Sequence, residues 1–314
     1  MSLPHPALDG AADLPDCGLI RAQGDDAAAF LHGQLTNDFA QLGAAQARLA
    51  GYCSAKGRLL ASFVGWKQAP DDILLLCSAD LLAATLKRLS MFVLRAKCRL
   101  TDATGEFRLM GLAGDSARQW LGSAAPSAPW GKAEHAGATV VRLPDAGSQP
   151  RFLWVAPRDA ATPELPSLGL DAWRWGEVHS GVARIEAATV DQFVPQMLNF
   201  ELIGGVDFKK GCYPGQEVVA RSQYRGTAKR RSFVFDLPAS ASAGQEIFHS
   251  GDPGQPAGMV VNAALLPGPS GSLLAEVKLA SLGDGSLHLG DPAGPRLVPA
   301  PMPYEVPVQS SAAD

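Results

Sequence analysis

The sequence lacks paired cysteines. Its five cysteines are odd in number and widely spaced, and no CxxC pair occurs. They are Cys17, Cys53, Cys77, Cys98 and Cys212. Disulfide frameworks and zinc knuckles need even sets at close, regular spacings. The cysteine pattern therefore argues against both.

Other common signatures are missing as well. The six histidines are scattered without HxH or HExxH, so the sequence indicates no metal site. Neither a GxxxxGK[ST] phosphate loop nor a GxGxxG fingerprint occurs. The longest apolar runs, such as residues 73–77, are strand-length, far short of the ~20 residues that span a bilayer. The N-terminal MSLPHPALDG has no basic region before an apolar core, so no membrane association and a cytoplasmic location are expected.

The chain has enough hydrophobic residues to build a large interior. They make up 46% of 314 residues, against 18% charged ones, as in an ordinary globular protein. That length suggests two or three domains. Mixed strands and helices, followed by short strands between Gly and Pro residues, predict an α+β fold that ends in a small β-barrel. The predicted domains are residues 1–100, 101–228 and 229–314.

Residues 17 to 100 favour a ferredoxin-like β-α-β-β-α-β order. Asp25 can cap a helix that runs through Leu42. A hairpin with its turn at residues 54–57 follows, and residues 93–100 are expected to return as an alternating strand. Farther along, DAWRWGEVHSGVARI predicts a helix that is broken at Gly181.

One window is strongly basic although the chain has a net charge of −4. It holds one acid, Glu217, and seven basic residues: Lys209, Lys210, Arg221, Arg225, Lys229, Arg230 and Arg231. Such a patch suggests an anionic small ligand or a limited nucleic-acid contact, or else a solvated face beside acidic neighbours. Direct tRNA binding is an alternative without motif support, because no RRM, KH or paired aromatic RNP motif occurs.

The densest polar chemistry lies in DFKKGCYPGQEVVARSQYRG, residues 207–226. Pro214 fits the first turn of a helix, which would place Cys212 just outside the helix N-terminus. Helix amides there, together with Lys209 and Lys210, favour a thiolate. A lone cysteine is more often an inert buried residue. These residues alone leave Cys212 open as a nucleophile, metal ligand, redox thiol or packed core thiol.

The same stretch carries a family resemblance. KGCYPGQEVVAR, preceded by GVARIEAATVDQFVPQMLNFELIGGVDFK, resembles the signature region of the YgfZ family. These are folate-binding proteins related to the glycine-cleavage T-protein, an aminomethyltransferase. FLHGQLTNDFAQL is similar to the family's first helix, GYCSAKGRLLASF to its first hairpin and PMPYEV to its terminal proline–tyrosine element. The resemblance spans about residues 17–305.

This resemblance implies a fold and a function. The family's fold is a cloverleaf around a central hole, with two ferredoxin-like, folate-binding α+β domains and a C-terminal β-barrel. It implies that tetrahydrofolate or a derivative binds in the hole. It also implies a role in assembling or repairing iron–sulfur clusters, with Fe–S client proteins such as radical tRNA-modifying enzymes as partners.

The resemblance also assigns residues. The family's cysteine maps onto Cys212, the expected functional thiol, and a folate-contacting tryptophan maps best onto Trp173, with Trp175 as the near alternative. A pterin needs an apolar or aromatic slot with a carboxylate or amide at its edge, and its glutamate tail needs Lys or Arg. The expected cofactor-binding residues are Trp173, Trp175, Glu186, Lys210, Gln216, Glu217 and Arg221. Simple packing of the two tryptophans against a sheet is the competing interpretation.

Two departures from the relatives matter. The T-protein has its catalytic aspartate just after the turn of the first hairpin, where this chain has Leu60 and Ala61. Without that carboxylate, methylene transfer to folate lacks its steering group, so a folate-dependent aminomethyltransferase is the alternative and not the leading hypothesis. Cys17 stands where the YgfZ pattern has a further folate-contacting tryptophan, which puts folate affinity or pose in question.

Overall fold

The computed structural model describes residues 6–224, 228–266, 268 and 270–307. Within them the strands are β1 (Gly10–Asp13), β2 (Cys17–Gln23), β3 (Ala47–Cys53), β4 (Leu59–Ala69), β5 (Asp72–Ser78), β6 (Arg99–Asp102), β7 (Phe107–Ala113), β8 (Lys132–His135), β9 (Ala138–Ala146), β10 (Gln149–Pro157), β11 (Arg230–Leu237), β12 (Glu246–His249), β13 (Asp252–Leu266), β14 (Ser270–Lys278), β15 (Leu287–Leu289) and β16 (Val298–Pro299). The α-helices are α1 (Ala27–Gln34), α2 (Ala79–Ser90), α3 (Gly114–Leu121), α4 (Leu170–His179) and α5 (Gln216–Tyr224). The mixed α and β composition agrees with the predicted fold class.

The first sheet is antiparallel, with the order β3-β4-β5-β2-β6. Helix α2 packs against several of its strands and buries Leu81, Leu82 and Leu89 on one face. The hairpin β3–β4 confirms the prediction, and its turn closes between Ser54 and Gly57. The chain order is strand, helix, three strands, helix, strand, which is one strand more than predicted.

Helix α1 ends at Gln34, so the prediction of a helix through Leu42 is wrong. Thr36 leaves the helical path to bridge two other segments. Its hydroxyl donates to the Gly205 carbonyl at 2.6 Å and accepts from the Gly51 amide at 2.7 Å. Since these partners lie far away in the sequence, helical periodicity could not reveal them.

The strand predicted for residues 93–100 is also mostly wrong, because β6 begins only at Arg99. The preceding residues form a loop that is tied to the start of α1. The Asp26 carboxylate accepts a hydrogen bond from the Lys97 amide at 2.7 Å, and the Lys97 carbonyl accepts one from the Asp26 amide at 3.1 Å. These reciprocal bonds replace the ladder that a strand would have made.

The second sheet has the order β1-β7-β10-β9-β8. Strand β1 lies inside the first predicted domain, 1–100, yet it pairs with β7 in this second sheet. On one face Phe152 and Trp154 pack with helix α3 in a separate core cluster. The other face, which carries Leu153 and Val155, joins the main core. Strand β10 is therefore covered on both sides.

The C-terminal segment forms a six-stranded antiparallel sheet, ordered β15-β12-β13-β14-β11-β16. It is a half-barrel, and the edge strands β15 and β16 do not pair with each other within the described residues. Helix α4 packs against β13 and β14, which ties this sheet to the rest of the chain. No helix among the described residues is long and apolar enough to cross a membrane.

Candidate functional site

A cavity lies where helix α4 meets the first and second sheets. Its wall is mainly apolar, and its aromatic side chains are Phe63, Trp130 and Trp173. The polar side chains in the wall come from distant parts of the sequence: Ser62, Arg151, Glu177, Ser180 and Arg184. An apolar cavity with a few convergent polar groups is the usual form of a small-molecule site.

Trp173, the tryptophan expected to contact folate, lines this cavity, but its ring is almost fully covered. It is only 1% exposed, and it lies so close to Gly111 that a Cβ there would be 2.5 Å from two ring atoms. The guanidinium of Arg151 lies 4.4 Å from the ring centroid. Gly111 is thus needed for close packing, and little of the Trp173 ring is left for a ligand to stack on.

Arg151 is the most unusual polar residue of the cavity. It is 3% exposed, its Nε has no hydrogen-bond partner, and its Nη1 reaches only the Pro144 carbonyl at 3.5 Å. No carboxylate lies within ion-pair distance among the residues the structure covers. Burial lowers the pKa of Arg151 to about 10, and the more distant Glu177 and Asp145 offset part of that effect.

Arg184 forms the charged rim of the cavity. Its guanidinium pairs with Asp16 at 2.9 Å and lies 3.6 Å from both Glu177 and Glu186. Burial acts to lower the pKa of Arg184, but these carboxylates outweigh it and keep that pKa above its usual value. Arg184 also donates to the Cys17 sulfur at 3.4 Å, so Cys17 lies at this rim. Burial raises the pKa of the Cys17 thiol.

A second, more polar groove adjoins the cavity and shares Glu177, Val182 and Arg184 with it. Glu186 lies in this groove, where its Oε1 accepts a hydrogen bond from Asn262 at 3.0 Å. Burial raises the pKa of Glu186, although the charge of Arg184 opposes that effect. The structure therefore places Glu186 near the Trp173 cavity, but in the adjoining groove and not in the cavity wall.

Trp175 lies on the same helix as Trp173 but does not line the cavity. Its ring stacks on His179, with centroids 4.2 Å apart and planes inclined by 29°. It is 7% exposed. For Trp175 the packing interpretation fits better than a ligand contact.

The KGCYPGQE motif lies at the turn of the β3–β4 hairpin and not in the cavity wall. Gly215 has a φ of 78°, and a Cβ on it would lie 2.3 Å from the Ser54 carbonyl oxygen. Cys212 is exposed. The ammonium of Lys210 donates to the His32 carbonyl at 2.6 Å and to the Gly211 carbonyl at 3.1 Å.

The helix geometry predicted for this motif needs a correction. Helix α5 begins at Gln216, so Pro214 lies before the helix and not in its first turn. The Gln216 amide donates to the Tyr213 carbonyl at 3.2 Å, and the Val218 amide donates to the Gly215 carbonyl at 3.1 Å. Because these amides already have acceptors, the helix N-terminus offers Cys212 less than the sequence suggested.

Glu217 and Arg221, two further predicted cofactor residues, pair with each other on the exposed surface of α5 at 2.8 Å. Their side chains are 85% and 66% exposed. Gln216 is half-buried at the start of the same helix. Arg225 of the basic window lies outside the described residues.

Two arginines of the basic window pair with acids that the sequence count did not include. Arg230 pairs with Glu276, and Arg231 pairs with the buried Glu201. These acids lie outside the window in sequence but join it through the sheet and the preceding loop. The structure therefore supports the interpretation of neutralised charges for much of the patch.

The predicted residues thus fall into separate places. Trp173 lies in the cavity and Glu186 in the adjoining groove. Lys210 lies against His32 of helix α1, Cys212 lies between Lys210 and the Gly215 turn, and the Glu217–Arg221 pair lies on α5. Sequence reasoning missed Arg151, Glu177 and Arg184. For Arg151 a signal existed, since it is a charged residue inside the apolar strand RFLWVAP.

No group of three or more His, Cys, Asp or Glu side chains in the described part of the chain could hold a metal ion. At the positions where the T-protein aspartate was expected, Ala61 is fully buried, and Leu60 lies at an irregularity of the hairpin register. The carboxylate nearest to the cavity interior comes instead from Glu177 on α4.

Comparison with known proteins gives one result for sequence and one for fold. Residues 9–143 match the family model described as GCVT N-terminal domain. The chain is 33% identical over 301 residues to the tRNA-modifying protein YgfZ of Edwardsiella ictaluri, with 91% of this chain and 89% of the relative covered. It is 31% identical over 308 residues to the YgfZ protein of Sodalis glossinidius, with 93% and 92% covered.

Among solved structures, the chain resembles the glycine cleavage system aminomethyltransferase T from Bartonella henselae. The TM-score is 0.71 at 17% sequence identity, and the match covers 94% of this chain and 86% of that chain. At that identity the likeness concerns the fold.

Proposed function

The chain belongs to the YgfZ family, and from that premise we propose that it is a folate-binding accessory protein for iron–sulfur cluster assembly or repair. Its relatives are named tRNA-modifying proteins, so the proposed clients include Fe–S enzymes that modify tRNA. We place this activity in the cytoplasm. We further propose that the three sheets form the cloverleaf of the family and that the cavity beside Trp173 corresponds to its central hole.

The observation that carries the folate proposal is the meeting of Arg151 and Glu177 in an otherwise apolar cavity. Arg151 has unused N–H donors there, and Glu177 offers carboxylate oxygens. A pterin needs this combination of an apolar slot with polar groups at its edge. Phe63 and Trp130 would supply the slot. When bound, tetrahydrofolate would bring its capacity to carry one-carbon groups, while these residues bind and orient it.

The adjoining groove suits the rest of a folate molecule. It is polar, and it contains Arg174 and Arg184. Both guanidinium groups already pair with Asp16, at 3.1 and 2.9 Å. A glutamate tail that enters the groove would therefore meet these two arginines and the carboxylates around them. It would compete with Asp16 for the two guanidinium groups.

Cys212 is proposed to act as the functional thiol, separately from the folate cavity. Its exposure allows a client protein or an iron–sulfur cluster to reach the sulfur. The backbone contact between the Gly215 loop and Ser54 holds the loop in place. Holding a cluster and exchanging with another thiol both need an exposed sulfur, and Cys212 provides one.

The proposal is tested by titrating wild type, Trp173→Ala and Cys212→Ala with tetrahydrofolate while tryptophan fluorescence is recorded. We expect Trp173→Ala to bind more weakly, because Arg151 loses its support, and Cys212→Ala to bind normally. In cells, Cys212→Ala is expected to fail to support Fe–S enzymes that modify tRNA. Full support by that variant would refute the thiol role, and absence of binding to wild type would refute the folate role.

A folate-dependent aminomethyltransferase is the second candidate. One observation favours this activity. Glu177 brings a carboxylate to the cavity, although the carboxylate of the T-protein is absent from the first hairpin. Arg184 lies 3.6 Å from that carboxylate and pairs with it, so the proton transfer that this reaction needs would have to compete with an ion pair. Methylene transfer from an aminomethyl donor to tetrahydrofolate, abolished by Glu177→Gln, would establish this activity.

Direct tRNA binding receives less support. Arg221, Arg230 and Arg231 are each paired with a glutamate, so fewer cations remain to contact phosphates. Binding through phosphates would weaken steeply as salt rises. Titration of tRNA at two salt concentrations separates the cases, since absent or salt-insensitive binding excludes the patch as an RNA site.

A further inference from the structure

Arg151 has more hydrogen-bond donors than the protein satisfies. A guanidinium carries five N–H donors and cannot lose its proton readily. The described residues provide one acceptor, the Pro144 carbonyl at the limiting distance of 3.5 Å, and the face of Trp173 at 4.4 Å. Arg231, the other arginine that is buried among the described residues, is paired with Glu201. A buried guanidinium without a carboxylate is costly unless a ligand completes its shell.

Glu177 provides the complementary group on the same cavity. Its carboxylate is 24% exposed, and the ion pair that the structure gives it is with Arg184 at 3.6 Å, longer than a hydrogen bond. Arg151 and Glu177 both line the cavity, yet they form no ion pair with each other. A ligand edge that reaches both residues therefore meets donors from Arg151 and acceptors from Glu177.

We propose that Arg151 and Glu177 together recognise the amide-type edge of a planar heterocycle. Arg151 donates to a ring carbonyl oxygen, and Glu177 accepts from the neighbouring ring N–H and amino groups. The 2-amino-4-oxo edge of a pterin has this pattern, and the 2-amino-6-oxo edge of guanine shares it. The choice of the pterin rests on the proposed function, whereas the recognition of the edge rests on these two residues.

The alternative is that Arg151 binds the carboxylate of a glutamate tail. The different surroundings of the cavity and of the adjoining groove argue against this alternative. Arg151 faces a cavity walled by Phe63, Trp130 and Leu153, which suits a flat ring. The charged and polar groups that suit a hydrated, flexible tail lie in the adjoining groove. Trp173 then acts as a positioning residue, since it holds the guanidinium in place by its ring.

The test uses a pair of ligands that differ at the ring amide. Folic acid has the 4-oxo group and the neighbouring N3–H, whereas aminopterin has a 4-amino group and an N3 without hydrogen. Because hydrogen bonds to charged groups contribute about 1.5–3 kcal/mol, wild type is expected to prefer folic acid by about tenfold to a hundredfold. Arg151→Met is expected to lower this ratio by about tenfold, since only the contact of Glu177 with N3–H remains, and to leave the melting temperature unchanged or higher.

Arg142→Met is the control variant. Arg142 lies on the neighbouring strand β9 and also stacks on an aromatic ring, at 4.9 Å from the Phe152 centroid. It pairs with Asp145 and does not line the cavity. This variant is expected to keep the wild-type preference for folic acid.

The remaining outcomes are decisive as well. A preference that is undiminished in Arg151→Met, or that is absent from wild type, would overturn the proposal. So would a selective loss of p-aminobenzoylglutamate binding in Arg151→Met, because that fragment carries only the tail. If wild type binds no pterin, the proposed folate function fails, and guanosine then tests the edge. Guanosine binding that depends on Arg151 would support recognition of the edge. Absence of such binding would overturn this recognition as well as the folate function.

Discussion

Gly57 and Gly215 meet backbone to backbone, so closely that a Cβ on Gly215 would lie 2.7 Å from the Gly57 Cα. Gly57 belongs to the turn of the first hairpin, and Gly215 belongs to the loop that carries Cys212. Two segments that lie far apart in the sequence are thus joined without a side chain between them. The contact explains why glycine occupies both positions.

Gly215→Ala is expected to destabilise the protein by about 2–4 kcal/mol. The positive φ of 78° alone costs about 1–2 kcal/mol for a residue with a Cβ, and contact with the Ser54 carbonyl adds to it. Gly204→Ala is the matched control, because Gly204 has a φ of 76° and open space around it. Urea denaturation measures both. Equal losses in the two variants would mean that the close contact contributes nothing.

Arg151 and Arg231 are both buried, but they are expected to respond differently to methionine. Arg151→Met removes a charge without a partner and should leave the free energy of unfolding unchanged or raise it by about 1–3 kcal/mol. Arg231→Met leaves the buried carboxylate of Glu201 unpaired and should lower it by about 3–5 kcal/mol. Denaturant titration of the two variants gives the comparison. A large loss in Arg151→Met would identify that arginine as structural.

Local patterns in the sequence predicted the elements that local physics determines. The hairpin turn at residues 54–57 and the helix before Gly181 were found, since apolar alternation and turn residues are visible over a short window. The end of α1 was missed because Thr36 bonds to Gly51 and Gly205, partners that only the fold brings near. Tertiary hydrogen bonds overrode helical periodicity at that point.

The site residues also separate into those that the sequence shows together and those that only the fold brings near. Cys212 and Lys210 lie two residues apart in one motif, so the sequence shows them together. Arg151 and Glu177 come from a strand and a helix, and they line one cavity where Trp173 of that helix packs over Gly111. The sequence predicted the tryptophan of that cluster from resemblance, but not the charged pair that gives the cavity its chemistry.

Cys212 is expected to be the fast-reacting thiol of the folded protein. It is exposed, whereas Cys17, Cys53 and Cys77 are buried and Cys98 is half-buried. Burial also raises the pKa of Cys98 to about 11 and that of Cys53 to about 12, which lowers their thiolate fraction. With a chromogenic disulfide reagent, wild type should show a fast phase that Cys212→Ala removes.

Cys98→Ala is the control for that experiment and should keep the fast phase. Full denaturation should make all remaining thiols react, which checks the count. A fast phase of wild-type amplitude in folded Cys212→Ala would show that another thiol is accessible, and the assignment of the reactive sulfur would then be wrong.

Lys210 is expected to give the protein a stability that rises with pH. Burial lowers its pKa from 10.5 to about 8, although Asp38 and Asp207 oppose that shift. Between these two values the unfolded chain binds a proton that the folded protein does not, so the free energy of unfolding increases as pH rises from 8 to 10.5. Below pH 8 both states are protonated, and the full penalty for burying the charge applies.

The measurement is the difference in unfolding free energy between wild type and Lys210→Met at pH 7.5 and pH 10. We expect this difference to shift in favour of wild type by about 1–2 kcal/mol at the higher pH, after allowance for solvent screening. Lys209→Met, which removes the exposed neighbour, should follow the wild-type pH dependence. A difference that stays constant over this range would mean that Lys210 keeps its proton through its bonds to the His32 and Gly211 carbonyls. The ammonium would then be a permanent positive charge beside Cys212.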